Sequence, residues 1–155
     1  MRTISLRGLP AVALMLLFSS AAFASDVTEV MKPVHQFIDG FNKGDAKTAL
    51  AACADDAYII DEFAPYEWHG AGACSTWAGD YEADAKKNGI TDGVVTVGKP
   101  RHVDVSGDHA YVVVPTTYAF KKNGKPMKEN NATMTLTLQN SAAGWHITSW
   151  TWSKD

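Results

Sequence analysis

The sequence predicts an α+β fold in which the helices come first and the strands follow. Two patterns carry this reading. Apolar residues recur at three- and four-residue steps through residues 27–41 and again through 74–85, the mark of amphipathic helices. From residue 94 onward the chain is rich in Val, Thr, Trp and Tyr and is cut by turn signals, the mark of antiparallel strands. Elements segregated in this way pack helices on one face of a curled sheet.

The first segment stands outside that fold. Arg2 and Arg7 give a positive start, Leu9 to Phe18 is apolar apart from Pro10, and Ala22-Phe23-Ala24 supplies a small-x-small site. This is the pattern of a secretory signal peptide over residues 1–24, cleaved after Ala24. The apolar run is shorter than the roughly 20 residues that span a bilayer. The expectation is therefore one domain, residues 25–155, exported to a periplasm or secreted, with no membrane contact after cleavage. The whole chain has 14 basic and 17 acidic residues, and loss of the two arginines takes the formal charge from −3 to −5. A chain this acidic, without a basic run, is a poor nucleic-acid binder.

The elements follow in order. Val27, Val30, Met31, Val34, Phe37, Ile38 and Phe41 form one face of a helix over about Asp26 to Lys43, with Pro33 as a kink or a late start. Gly44 supplies a left-handed cap, and Asp45 is the N-cap of a short second helix, Ala46 to Ala54. Tyr58 to Asp61 reads as a short strand and Glu62 to Gly70 as a loop. A third helix runs from about Ala71 to Lys87, with Cys74, Trp77, Ala78, Tyr81 and Ala85 as its inner stripe. Strands are expected at Val94 to Val97, Arg101 to Ser106, His109 to Lys121, Ala132 to Asn140 and Trp145 to Ser153. Ala132, Met134, Leu136 and Leu138 alternate with polar residues, as in a half-buried antiparallel strand.

Cys53 and Cys74 leave two readings open. An oxidising compartment allows a disulfide, and two buried thiols on two helices fit equally. Neither cysteine sits at a zinc-ligand spacing, and no metal site is expected. His35, His102, His109 and His146 show no ligand spacing either. No glycine-rich phosphate loop, Ser-His-Asp order or nucleotide signature is present, so no cofactor is expected.

Three segments carry a family resemblance. They are Phe37-Ile38-Asp39-Gly40-Phe41-Asn42-Lys43-Gly44-Asp45; Ala54 to Asp61 followed by Trp68-His69-Gly70; and the tail Gly144 to Ser153. In order and spacing they resemble the nuclear transport factor 2-like superfamily, in its SnoaL-like and ketosteroid isomerase-like branch. The resemblance implies a cone: a strongly bent sheet wraps the helices and leaves a pocket. It also implies a homodimer formed through the outer face of the sheet. Members include isomerases, epoxide hydrolases, dehydratases, polyketide cyclases and non-catalytic binding proteins, so fold alone does not select a function.

Asp61 falls where the ketosteroid isomerase-like members carry a proton-shuttling aspartate. A carboxylate among aromatic walls loses water, its acidity weakens, and it becomes a better base. His69, at the entry to the third helix, is the candidate partner for Asp61, with a backbone-capping or solvent-facing role as the alternative. The family's helix tyrosine is replaced by Phe37, and its second acid falls near Met134, a departure from the isomerase pattern in which any oxyanion hole would have to come from elsewhere. Ser149 and Thr151 stand where a related branch has histidines. Tyr58, Trp68, Trp77, Tyr81, Tyr118 and Trp150, with Phe37 and Met134, are the candidate pocket wall. Such a wall suits a small hydrophobic or aromatic ligand, or else simply fills the cone as core. On the last strand, Trp150 and Trp152 share a face opposite to Ile147 unless a bulge intervenes.

Overall fold

The computed structural model describes the backbone of residues 16–154 and the side chains from 26 to 154. The expected leader, residues 1–24, therefore lies largely outside the described residues. Helix α1 spans Leu16–Lys43, starting well before the expected Asp26 and running through Pro33. Proline costs the helical bond to the Glu29 carbonyl, on a turn where Glu29 and Lys32 are exposed. Among the described residues, no helix is long and apolar enough to cross a membrane.

Gly44 turns the chain with φ 66°, and Asp45 caps α2, Ala46–Leu50, by accepting from the Thr48 amide. This helix is shorter than expected, because the chain is already extended at Cys53. Gly40 explains how closely α2 rides on α1. A Cβ there would lie 2.5 Å from the Ala49 nitrogen, so only glycine permits the approach.

Strand β1, Cys53–Ile60, is longer than the expected Tyr58 to Asp61. Its first half, Ala54-Asp55-Asp56, is polar and gives no alternating signal; pairing with the C-terminal strand extends it. Strand β2, Glu67–His69, lies inside the expected loop, where pairing of Ile59 with Trp68 creates it. Helix α3, Ala73–Lys87, begins after Gly70 and Gly72, both at positive φ, which delays it past Ala71.

The remaining strands are β3 (Ile90–Val97), β4 (His102–Ser106), β5 (His109–Lys122), β6 (Lys125–Ser141) and β7 (Gly144–Ser153). They form a curved, unclosed sheet of order β2-β1-β7-β6-β5-β3, with β4 also paired to β5. Among the described residues, only β1 and β7 run parallel. Asn123-Gly124, both at positive φ, form the two-residue turn that joins β5 to β6. Strand β6 therefore starts at Lys125, not Ala132. Lys125 to Asn131 are mostly exposed and show no inward period, which hid them as strand.

The core packs α1 and α3 into the concave face. Val30, Val34, Ile59, Val112, Val114, Met134, Leu136, Leu138 and Ile147 are all at most 1 % exposed. Helix α1 lies against β3, β4 and β7, and α3 against β1, β2 and β3. Each fully buried Val, Leu or Ile contributes roughly 1.5–3 kcal/mol.

Register breaks shape the sheet. Thr137 faces Ser149 while Leu138 faces Ile147, so Thr148 is the extra residue of a bulge. The bulge shifts the phase of β7. Ile147 points inward before it and Trp150 points inward after it, which reconciles the two faces of that strand. Thr137 Oγ1 bonds both Thr148 Oγ1 (2.9 Å) and Ser149 Oγ (2.7 Å) across the bulge. Further breaks fall in β3 between Thr91 and Val94 and in β5 between Thr116 and Tyr118. Cys53, on β1, and Cys74, on α3, are joined in a disulfide with their Cα atoms 6.6 Å apart. Cys53 is thus a strand residue, not the helical one expected.

Candidate functional site

Between the two long helices and the bent sheet lies a hollow of about 430 Å³ that opens at one end of the cone. Its floor includes Phe37, Trp77, Met134 and Trp150, all expected there from sequence. Tyr81 and Tyr118, also expected, form part of its side wall. Glu62, Lys122 and Lys154 stand at its rim.

Asp61 enters this hollow because of strand parity. Ala57 and Ile59 are buried on the inner face of β1, and Asp61 has the same parity just past the strand end. Its Oδ2 accepts from Trp77 Nε1 at 2.9 Å, and its Oδ1 accepts from the Glu62 amide at 2.7 Å. Burial raises its pKa to about 6; the two hydrogen bonds pull the other way, and the charges of Glu62 and Glu129 add to the rise.

Parity also removes Tyr58 from the wall. It lies an odd number of residues from Asp61, so it faces outward, donates to Glu67 Oε2 at 2.6 Å and is largely exposed. His69 is its cross-strand neighbour and stacks on it with ring centroids 5.7 Å apart. The pairing of Asp61 with His69 is therefore not formed. Trp68 is buried, but it packs on Phe63 and donates to Asp80 Oδ2 at 2.8 Å, outside the hollow.

Two hydroxyls place donors beside the hollow. Tyr81, on α3, and Tyr118, on β5, meet with oxygens 2.5 Å apart. Burial first, then the bond to Tyr118, pushes the Tyr81 hydroxyl well above its ordinary acidity range. Burial also raises Tyr118, with the charges of Glu129 and Asp61 acting in the same direction. Both are protonated at neutral pH. Their mutual bond uses one proton, so the second remains to donate into the hollow. Gly93 makes the space: a Cβ there would lie 2.6 Å from the Tyr118 oxygen. Asn42 fixes α1 to β3 beside it, donating to the Val95 carbonyl and accepting from the Val95 amide, each at 2.8 Å.

Several residues of the site were missed in the sequence. Glu129 sits in the stretch of β6 that precedes the expected strand start at Ala132. Glu62 and Lys154 belong to irregular segments, yet Lys154 Nζ bridges them: 2.8 Å to Glu62 and 3.1 Å to Glu129. The Glu62 bond, most of all, holds Lys154 above its ordinary acidity range. Asp84 had a usable signal. It follows Trp77 and Tyr81 at helical spacing and lines the hollow with them. Among the described residues, no cluster of three or more His, Cys, Asp or Glu is placed to hold a metal ion.

The sequence profile of the SnoaL-like domain matches residues 30–154, the segment that builds both sheet and hollow. The chain belongs to the SnoaL-like family. Its fold is shared with NTF2-like proteins of low sequence identity. An NTF2-like protein with a cystatin-like fold from Novosphingobium aromaticivorans superposes with TM-score 0.70 at 17 % identity, covering 94 % of this chain and 92 % of its own. A hexachlorocyclohexane dehydrochlorinase from Novosphingobium barchaimii superposes with TM-score 0.72 at 11 % identity, covering 88 % and 90 %. A ketosteroid isomerase-like protein from Erwinia carotovora atroseptica gives 0.65 at 17 %, covering 83 % and 95 %. At these identities the likeness is one of fold. No curated protein matches the sequence.

Proposed function

We propose that this SnoaL-like chain binds a small, largely apolar or aromatic molecule in the hollow, with Asp61 as its principal polar anchor. One observation carries the reading: a carboxyl group held by Trp77 Nε1 faces an aromatic-lined space of about 430 Å³. A core residue would not leave a desolvated carboxylate beside empty volume, because that carboxylate lowers stability without return unless something uses it. Native mass spectrometry with a panel of small aromatic and alicyclic compounds tests it. Adducts of one ligand per chain are expected, and a panel that leaves the chain bare removes the reading.

A second reading is catalytic: an isomerase, hydratase or hydrolase with Asp61 as general base. It is favoured by Asp61 and the Tyr81–Tyr118 pair sharing the hollow. A carboxylate with a pKa near 6 is a competent base at neutral pH, and a free tyrosine proton stabilises developing oxyanion charge. Solvent deuterium entering a bound ketone beside its carbonyl in the wild type, and not in Asp61→Asn, is the expected signature.

We also propose export. The leader pattern of residues 1–24 and the Cys53–Cys74 disulfide both support an oxidising destination. Sequencing the N-terminus of the native protein is expected to begin at Ser25.

A further inference from the structure

The polar groups of the hollow are unevenly signed, and this bears on which molecules it accepts. Four carboxylates line it, from Asp61, Glu62, Asp84 and Glu129, against two lysines, Lys122 and Lys154. Lys154 is already committed to Glu62 and Glu129. Lys122 is exposed at the rim, where water screens it. The charge left over inside is negative. The wall itself is aromatic: nine Phe, Tyr or Trp residues line the hollow. Aromatic rings present a negative quadrupole from their faces. Carboxylate and rings therefore act on a ligand with the same sign.

Resting on the reading that this hollow is a ligand site, we propose that it takes an organic cation: an ammonium carried on an apolar or aromatic skeleton, seated with its charge beside Asp61 among the rings. Three features of the site suit that class. An ammonium gains both from the carboxylate and from ring faces, and the gain is largest where water is excluded. Asp61 is half-buried and held by two donors, Trp77 Nε1 and the Glu62 amide, so it is oriented before a ligand arrives. The skeleton fills apolar space contributed by Phe41, Phe63, Phe120 and Trp152. An organic anion meets the opposite: Asp61, Asp84 and Glu129 repel it, and only the tyrosine proton and a rim lysine attract it.

The groups that face Asp61 set the pH behaviour. They are Glu62 from its own loop, Tyr81 and Asp84 from α3, Tyr118 and Lys122 from β5, Glu129 from β6 and Lys154 from the tail. Among them Asp61 is the carboxyl that burial raises, to about 6, so its charge changes between pH 7 and pH 5. Cation and proton then compete for one carboxylate.

The test uses a matched set of probes on the purified chain, read by quenching of the tryptophan fluorescence. Benzyltrimethylammonium is the cation, neopentylbenzene its neutral isostere, and phenylacetate an anion of similar size. The cation is expected to bind at least about tenfold more tightly than the isostere at pH 7. That preference is expected to fall about tenfold by pH 5, and to collapse in Asp61→Asn at both pH values. Equal binding of cation and isostere, or tighter binding of phenylacetate, overturns the charge preference and leaves the hollow as a neutral-ligand site. Binding of none of the three overturns the ligand-site reading itself, and the cation with it. If Asp61→Asn fails to fold, the pH series on the wild type decides alone: a cation preference that is constant from pH 7 to pH 5 rejects the assignment.

Discussion

Strands β5 and β6 change character along their inner face. At one end, Val112 on β5 faces Leu136 on β6, with Val114 and Leu138 on the same inner faces and none of the four more than 1 % exposed, and the interior there is aliphatic and solid. At the other end the inward residues include Tyr118 on β5 and Glu129 on β6, and the interior there is hollow. The same two strands thus build a closed end that holds the fold and an open end that holds the chemistry. Branched aliphatic side chains interdigitate and leave no void. Rings with polar tips instead stand off from one another to place their hydroxyls, carboxylates and indole nitrogens. The register break between Thr116 and Tyr118 lies where the one end gives way to the other.

The comparison is broken most severely by damage to the closed end. Leu136→Ala should lower stability by about 3 kcal/mol through a cavity the sheet cannot collapse, read as the midpoint of urea unfolding. A loss under about 1 kcal/mol would mean that the closed end is not the solid one. Replacing both Cys53 and Cys74 by Ser should cost about 3 kcal/mol in the chain-entropy picture. The bridge ties β1 to α3, and α3 carries Trp77 and Tyr81, so this pair of changes should also weaken ligand binding. Reduction of the wild type should reproduce both effects.

Asp61→Asn sharpens the comparison, because its sign is opposite. The folded carboxyl has its pKa raised to about 6 while the unfolded one keeps the ordinary carboxylate value. The fold therefore prefers the protonated form. Above pH 6 the ionised group lowers stability, and as pH falls through that value toward the unfolded one the loss is recovered. At pH 7 Asp61→Asn should raise stability by about 1–2 kcal/mol, discounted for the Glu62 amide bond that an amide side chain satisfies less well. The gain should fade by pH 4. A stability loss at pH 7 would identify Asp61 as a structural cap. The smallest effects belong to the outer face: Tyr58→Phe and His69→Ala should each change stability by less than about 0.5 kcal/mol and leave ligand binding alone. Loss of binding in His69→Ala would restore that histidine to the site.

Much of this was legible in the sequence where local pattern and structure share a cause. The stripe from Val30 to Phe41, the alternation from Ala132 to Leu138, the Asp45 cap and the Asn123-Gly124 turn each depend on neighbours a few residues away. Parity alone also contradicts the joint placing of Tyr58 and Asp61 in one wall, since the two residues lie on opposite faces of a strand. Glu129 was hidden for a different reason. It lies in a polar strand that exists only because β5 pairs with it.

The sequence by itself determined the order of elements, their amphipathic faces, the SnoaL-like resemblance and Asp61 at a strand end, because each is written in periodicities and turn chemistry of short range. Only the tertiary structure decided that Trp150 turns inward past the Thr148 bulge, that Tyr81 and Tyr118 meet across the hollow, that Lys154 joins Glu62 to Glu129, and that the space between them stays open. Those outcomes depend on how far the sheet bends and which distant side chains it brings together. Bending is set by register breaks between paired strands, and a register break has no signature in either strand alone.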